Sequence, residues 1–245
     1  MKVKKLYTAG DGFCYNHHWP MWSKLLAEIL DCEWVNLSTY GAGNEALANL
    51  VIDEIDTTID YSETLWLIQW TSPYRLDLRI DQLPSDNPYI KLIPTDTVYY
   101  DNFITTKKQK KYWCSSASQL QFVNDYKQLL SRRQHDDRSR HHLMSVAHTL
   151  SQTRASWKFL LTYSADWLPT NLIKQDRWIF PDQESFRKIS RYAHLDVGEI
   201  QPIASIHLDF LEKFVLPAYE YNTERLESIR NRVVDADRDR ILNKS

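Results

Sequence analysis

The stretch Lys5-Leu6-Tyr7-Thr8-Ala9-Gly10-Asp11-Gly12-Phe13 decides how the rest of the chain is interpreted. It has the pattern of a short buried strand that ends in a tight turn, where two glycines flank one aspartate. In open α/β sheets the ligand crevice lies at the carboxyl ends of the strands, so this turn predicts a site. The 245-residue chain has only 5 glycines. In a chain with so few glycines, each glycine is expected at a position where a side chain would clash or where φ must be positive.

Strands and helices alternate through the first seventy residues. Strands are predicted over 4–9, 32–38 and 64–70, and apolar residues recur at helical spacing over 17–30 and 45–55. Residues 65–68 are apolar throughout, which is typical of a strand that is covered on both faces. This order predicts an α/β fold with a parallel sheet of four or five strands and right-handed crossovers.

The pattern changes after residue 80 and returns near residue 157. We expect 81–155 to be a mostly helical insertion, with helices over 118–130 and 141–150. It is a candidate lid or contact element, or a plain packing subdomain. A fourth strand is predicted over 157–163 and a helix over 204–215, so that one domain spans 1–217.

A charged helix is predicted over 220–242, within a C-terminal segment 218–245. Its apolar stripe is sparse and suits a helix that lies on its own domain or pairs with another subunit. The members of the stripe are Leu226, Ile229, Val233, Ala236 and Ile241.

Composition and motifs exclude several classes of function. The net charge of -2 gives no electrostatic reason to expect a nucleic-acid partner. The three cysteines are widely spaced, which favours a reducing compartment. Because the sequence has no apolar leader and no apolar run of membrane length, we expect cytoplasmic synthesis and no membrane span. Because there is no Gly-x-Gly-x-x-Gly or Walker loop, no cofactor is expected. His141 and His148 would lie two helical turns apart, a poor chelate, so no metal is expected either.

Four short motifs resemble the block layout of SGNH (GDSL-type) hydrolases. They are Gly10-Asp11-Gly12, the stretch Asn36 to Asn44 with Gly41, the stretch Gln69 to Ser72, and Gly198-Glu199-Ile200-Gln201-Pro202. The pairs Trp19-Pro20 and Trp70-Thr71, the latter with Arg75, are most similar to phage-encoded members. The resemblance covers about residues 1–80 and 155–217. It implies a flavodoxin-like three-layer α/β/α sandwich, and ester hydrolysis by a serine with a histidine base oriented by an aspartate.

The residues that define such an enzyme are only partly present. Asp11 matches the aspartate beside the nucleophile, and Gly41 matches the oxyanion glycine. The nucleophile position is Gly12, which has no side chain, and Gln201 stands where the base should be. The asparagine of the third block aligns with Thr71 or Ser72. The resulting remnant site consists of Asp11, Gly12, Gly41, Asn44, Thr71 and Gln201.

Substitute catalytic groups are few. Cys14 could act as a thiol nucleophile, with His17, His18 or His207 as its base. The plainer interpretations are a buried, inert Cys14 and a packing or capping role for His207. Asp11 is expected to hold its turn through bonds to backbone amides.

The function predicted from these residues is a degenerate SGNH-like protein. It would be a phage-encoded, virion-associated binding or structural component without ester hydrolysis. Its partners would be other protein subunits, contacted through the 220–242 helix and the 81–155 insertion, or a carbohydrate held by Trp19, Trp70 and Tyr74. The alternatives are an active esterase or deacetylase on an esterified glycan and a purely architectural protein.

Overall fold

The computed structural model describes residues 2–11, 14, 21–38, 42–56, 58–79, 89–92, 131–162, 166–173, 176–179 and 204–242. The helix predicted over 118–130 and the loop predicted over 198–202 lie outside these residues.

Up to residue 70 the described elements follow the predicted order. The strands are β1 (Lys5–Ala9), β2 (Glu33–Asn36), β3 (Thr64–Trp70), β4 (Leu76–Arg79), β5 (Tyr89–Leu92) and β6 (Ser156–Leu161). The helices are α1 (Trp22–Leu30), α2 (Asn44–Glu54), α3 (Arg132–Ser151), α4 (Thr170–Ile173), α5 (Ala204–Phe210) and α6 (Thr223–Leu242). A π-helical turn (Leu211–Val215) and a 3₁₀ turn (Leu216–Ala218) follow α5, so the helix predicted over 204–215 changes type within its range.

Four strands form one parallel sheet in the order β2-β1-β3-β6. A fifth position is occupied beside β6 by the segment 177–179. There the Phe159 N–H donates to the Arg177 carbonyl at 2.7 Å, and the Ile179 N–H donates to the Phe159 carbonyl at 3.1 Å. This strand order is the flavodoxin-like one, and it confirms the predicted α/β class with a parallel sheet.

Helices cover both faces of the sheet, and the direction of the crossovers explains which helix lies where. From β1 the chain moves one way to β2, and from β2 it moves the other way to β3 and then β6. Right-handed crossovers in opposite directions put their helices on opposite faces. The core that contains Leu6, Leu65 and Leu67 accordingly packs against α1, α5 and α6. The core that contains Tyr7 and Trp66, whose rings stack at 4.1 Å, packs against α2 and α3.

Two elements differ from the sequence-based prediction. Strands β4 and β5 pair antiparallel with each other, and β5 lies within the range 81–155 that was expected to be mostly helical. Helix α3 begins at Arg132 rather than at residue 141, and it supplies a layer of the sandwich from within the predicted insertion. Its first half was missed because the side chains that it buries there are polar: His135, Asp136 and Ser139.

Helix α6 lies on its own domain. Leu226, Ile229 and Val233 are buried in the same core as α1 and α5. Near its C-terminal end, the Asp237 carboxylate accepts hydrogen bonds from the backbone N–H groups of Ala204 at 2.9 Å and Ser205 at 3.0 Å. Asp237 therefore caps the N-terminus of α5 from another helix, and satisfies amides that the helix itself cannot.

Replacing Asp237 tests this cap. We expect Asp237→Ala to lower the free energy of unfolding by about 1–3 kcal/mol, because one buried and one partly buried N–H group lose their acceptor. Asp235→Ala is the matched control, since Asp235 lies on the same helix in an exposed 3.4 Å pair with Arg238. Urea unfolding of the two variants measures the difference, and equal stabilities would contradict the capping role.

Candidate functional site

The candidate site lies at the carboxyl edge of the sheet, between β1 and β3. At this point the strand order reverses, and the crevice of a flavodoxin-like sheet opens there. Asp11 follows β1, and Thr71 follows β3. Because the two strands are parallel and hydrogen-bonded, their ends meet at one edge.

A buried ion pair occupies this edge. Asp11 Oδ2 lies 2.9 Å from Arg75 Nη1, and their side chains are 1% and 6% exposed. Arg75 Nη1 also donates to the Ala42 carbonyl at 3.1 Å, and the Thr71 hydroxyl donates to Asp11 Oδ2 at 3.3 Å. The Asp11 charge is thereby neutralised inside the protein. The amides of Gly12 and Phe13, which Asp11 was expected to bond, lie outside the described residues.

Asn44 joins α2, the chain after β3 and α3 through hydrogen bonds at the same edge. As the first residue of α2, it accepts a hydrogen bond from the Thr71 N–H through Oδ1 at 2.9 Å. Its Nδ2 donates to the Thr71 carbonyl at 3.2 Å and to the Ser139 hydroxyl on α3 at 3.1 Å. Three predicted remnant residues, Asp11, Asn44 and Thr71, are thus brought together. Gly12, Gly41 and Gln201 lie outside the described residues.

Gly10 is required by a close approach. A Cβ atom at this position would lie 2.7 Å from Cys14 Cβ and 3.1 Å from Gln69 Cβ. Gln69 is itself held in place, because its Oε1 accepts a hydrogen bond from Trp22 Nε1 at 3.2 Å. The expected reason for a glycine, a steric clash, therefore holds at Gly10.

The predicted substitute nucleophile is sealed in the core. Cys14 is 0% exposed, and burial raises the pKa of its thiol to about 12, although nearby hydroxyls such as that of Ser23 act to lower it. A thiol with this pKa holds almost no thiolate near neutral pH, so it is a poor nucleophile. His207 is also fully buried, on α5, while His17 and His18 lie outside the described residues.

Three aromatic residues were predicted to contact a ligand, and the structure describes two of them. Of these two, only Tyr74 is partly exposed. Trp70 is 0% exposed and packs edge-on against Phe159, so it belongs to the core rather than to a crevice rim. Tyr74 is half-buried, with its ring 5.5 Å from that of His135. Burial raises the pKa of the Tyr74 phenol, and the negative charge of Asp136 adds to the effect. Trp19 lies outside the described residues.

Helix α3 brings side chains to this edge that sequence patterning did not find. Asp136 is 9% exposed, and burial raises the pKa of its carboxyl. Within the part of the chain that the structure describes, Asp136 Oδ1 has no hydrogen-bond partner. The signal that could have located this helix is its capping box, in which Ser131 and Gln134 bond each other's backbone.

No group of three or more His, Cys, Asp or Glu side chains among the described residues could hold a metal ion. None of the helices formed by these residues is long and apolar enough to cross a membrane. Comparison with protein-family models, curated proteins and solved structures finds no match to the chain.

The Asp11–Arg75 pair can be tested by removing one partner. We expect Arg75→Met to lower the free energy of unfolding by about 3–5 kcal/mol, because it leaves a buried carboxylate unpaired. Adding Asp11→Asn should recover part of this loss. Arg138→Met is the control, since Arg138 pairs with Glu45 nearer the surface and should contribute at most about 1 kcal/mol. A loss for Arg75→Met no larger than the control would contradict a structural role for the pair.

The raised pKa of Asp136 makes a prediction about pH. A carboxyl whose pKa is higher in the folded than in the unfolded state binds its proton more readily when folded. The protein is then destabilised as pH rises through the folded pKa. We expect Asp136→Asn to raise Tm by a few degrees at about pH 7, with the gain vanishing toward about pH 4.

The control for this experiment is Asp137→Asn, because Asp137 is paired with Arg140 at 2.8 Å and should show no gain. A Tm difference between wild type and Asp136→Asn that is independent of pH would contradict the assignment. The charged and titratable groups around Asp136 are Tyr74, Arg132, His135, Asp137 and Arg140.

Proposed function

We propose that this chain is a degenerate SGNH-like protein that serves as a binding or structural component and does not hydrolyse esters. One observation carries the proposal: the Asp11 carboxylate, at the position beside a hydrolase nucleophile, is 1% exposed and paired with Arg75. This buried ion pair joins the end of β1 to the chain after β3. Its carboxylate is therefore not available to a substrate.

The sequence supports the same conclusion. Gly12 cannot attack an ester, and Gln201 cannot accept a proton near neutral pH. The loss of a general base alone costs about 10²–10⁴-fold in rate. Cys14, the substitute that lies nearest in sequence, is buried and protonated. These features disfavour an active esterase or deacetylase.

For the intact fold we propose a role in binding other protein subunits of a phage particle. Leu226, Ile229 and Val233 of the α6 stripe are already buried in the chain's own core, so a partner would meet the outer face of this helix. The side chains on that face include Asn231, Asp235 and Arg238, with Val234 as an exposed apolar residue. Such a contact would be largely polar, like the rim of a transient interface. For a carbohydrate, the half-buried Tyr74 ring offers a contact at the carboxyl edge.

Ester hydrolysis tests the proposal directly. We expect wild-type protein to hydrolyse p-nitrophenyl acetate and an acetylated glycan no faster than buffer. Cys14→Ala and Asp11→Asn should be indistinguishable from wild type in this assay, because neither residue takes part in chemistry. Turnover by wild type that is lost in Cys14→Ala or Asp11→Asn, in a variant that circular dichroism shows to be folded, would show that the site is catalytic.

Alkylation of Cys14 gives a second readout that does not depend on choosing a substrate. At about pH 8 a thiol with a pKa near 12 should resist iodoacetamide in the folded protein and react after denaturation. Peptide mapping by mass spectrometry locates the label. Rapid labelling of Cys14 in the folded protein would revive the thiol route.

A further inference from the structure

A small cavity opens on the face of the sheet that α3 covers, beside the β6 edge and away from Asp11. Its volume is about 190 Å³. The residues that line it are Leu143, Met144, Ala147, Phe159, Leu172 and Trp178. Trp178 carries the one polar side-chain atom in this wall, and its Nε1 already donates to the Leu172 carbonyl at 2.8 Å. The side chains of the wall thus offer a ligand no unused hydrogen-bonding group.

The described elements beside this recess are short. Beside β6 the segment 177–179 forms a single bridge rather than a full strand, and α4 has only four residues. The floor of the cavity is solid core, because Phe159 and Leu143 are 2% and 3% exposed. Its rim is open, because Met144 is 54% exposed. The cavity is therefore an accessible recess with a rigid apolar base.

The chemistry of the wall limits what can occupy the recess. A polar group would give up its hydrogen bonds to water and find none in exchange, which is unfavourable. An enclosed apolar cavity of about 150 Å³ binds benzene, so the volume of this recess suffices for a ring of that size. Pockets for whole drug-sized ligands begin at about 300 Å³, so only one small group fits here. Methionine at the rim is unbranched and polarizable, and it adjusts to differently shaped apolar groups.

We infer that this recess is a binding site for a small uncharged hydrocarbon group, the size of a benzene ring or a short alkyl chain. The site is separate from the carboxyl edge, so it does not depend on the function proposed above. For a probe of about six heavy atoms, a dissociation constant on the order of 1 mM is expected from the affinity that each atom can contribute.

The test uses benzene and the methyl signals of ¹³C-methyl-methionine. The chain has 3 methionines, and the Met144 signal is assigned from its loss in Met144→Leu. We expect benzene to shift the Met144 signal saturably and to leave that of Met21, which is buried at the start of α1, unchanged. Dioxane, a polar ring of similar size, should have no saturable effect. No saturable shift with benzene, or an equal response to dioxane, would overturn the inference.

Variants that fill the recess complete the experiment. Ala147→Phe should abolish the saturable shift. The control is Ser145→Leu, at an exposed position on the same helix, and it should retain the shift. Leu172→Phe narrows the recess from α4 and serves if Ala147→Phe fails to fold, as judged by circular dichroism. Saturable binding that persists in a folded, filled variant would also overturn the inference.

Discussion

The ion pair between Asp11 and Arg75 is the constraint on which the architecture of the carboxyl edge depends. A charge that is 1% exposed is tolerated only when another charge and hydrogen bonds compensate for its lost hydration. Here the compensation comes from several parts of the chain. Arg75 reaches back from beyond β3 and also bonds the Ala42 carbonyl just before α2, while Thr71 bonds the same carboxylate. The turn after β1, the entry to α2 and the exit from β3 are therefore fixed relative to one another.

Asn44 extends this arrangement to the next layer. Its three hydrogen bonds join the α2 N-terminus to the backbone of Thr71 and to Ser139 on α3. Because each partner is buried, moving one element would leave polar groups on the other elements without these hydrogen bonds. Among the described residues of this sheet edge, the polar side chains form a hydrogen-bonded layer. That layer motivates a role in binding or assembly.

The sequence predicts the parts of this structure that rest on apolar patterning. Residues 64–70 were predicted to the residue, because both faces of β3 are buried and its central side chains are apolar. The first half of α3 could not be found this way, since its buried positions include His135, Asp136 and Ser139. The Asp11–Arg75 pair was also beyond reach. Sixty-four residues separate the partners, and nothing local to either one specifies the other.

The cap that Asp237 places on α5 has a consequence for how the protein is made. The core beneath α1 is completed by residues between 204 and 233, and the amides of Ala204 and Ser205 are satisfied only by a side chain about thirty residues later. A ribosome delivers the chain from its N-terminus, so β1 and α1 emerge with one apolar face uncovered. That face stays exposed until the segment through Asp237 has left the exit tunnel. Transiently exposed apolar surface of this kind promotes aggregation, so the first half of the sheet depends on the prompt arrival of the C-terminal helices.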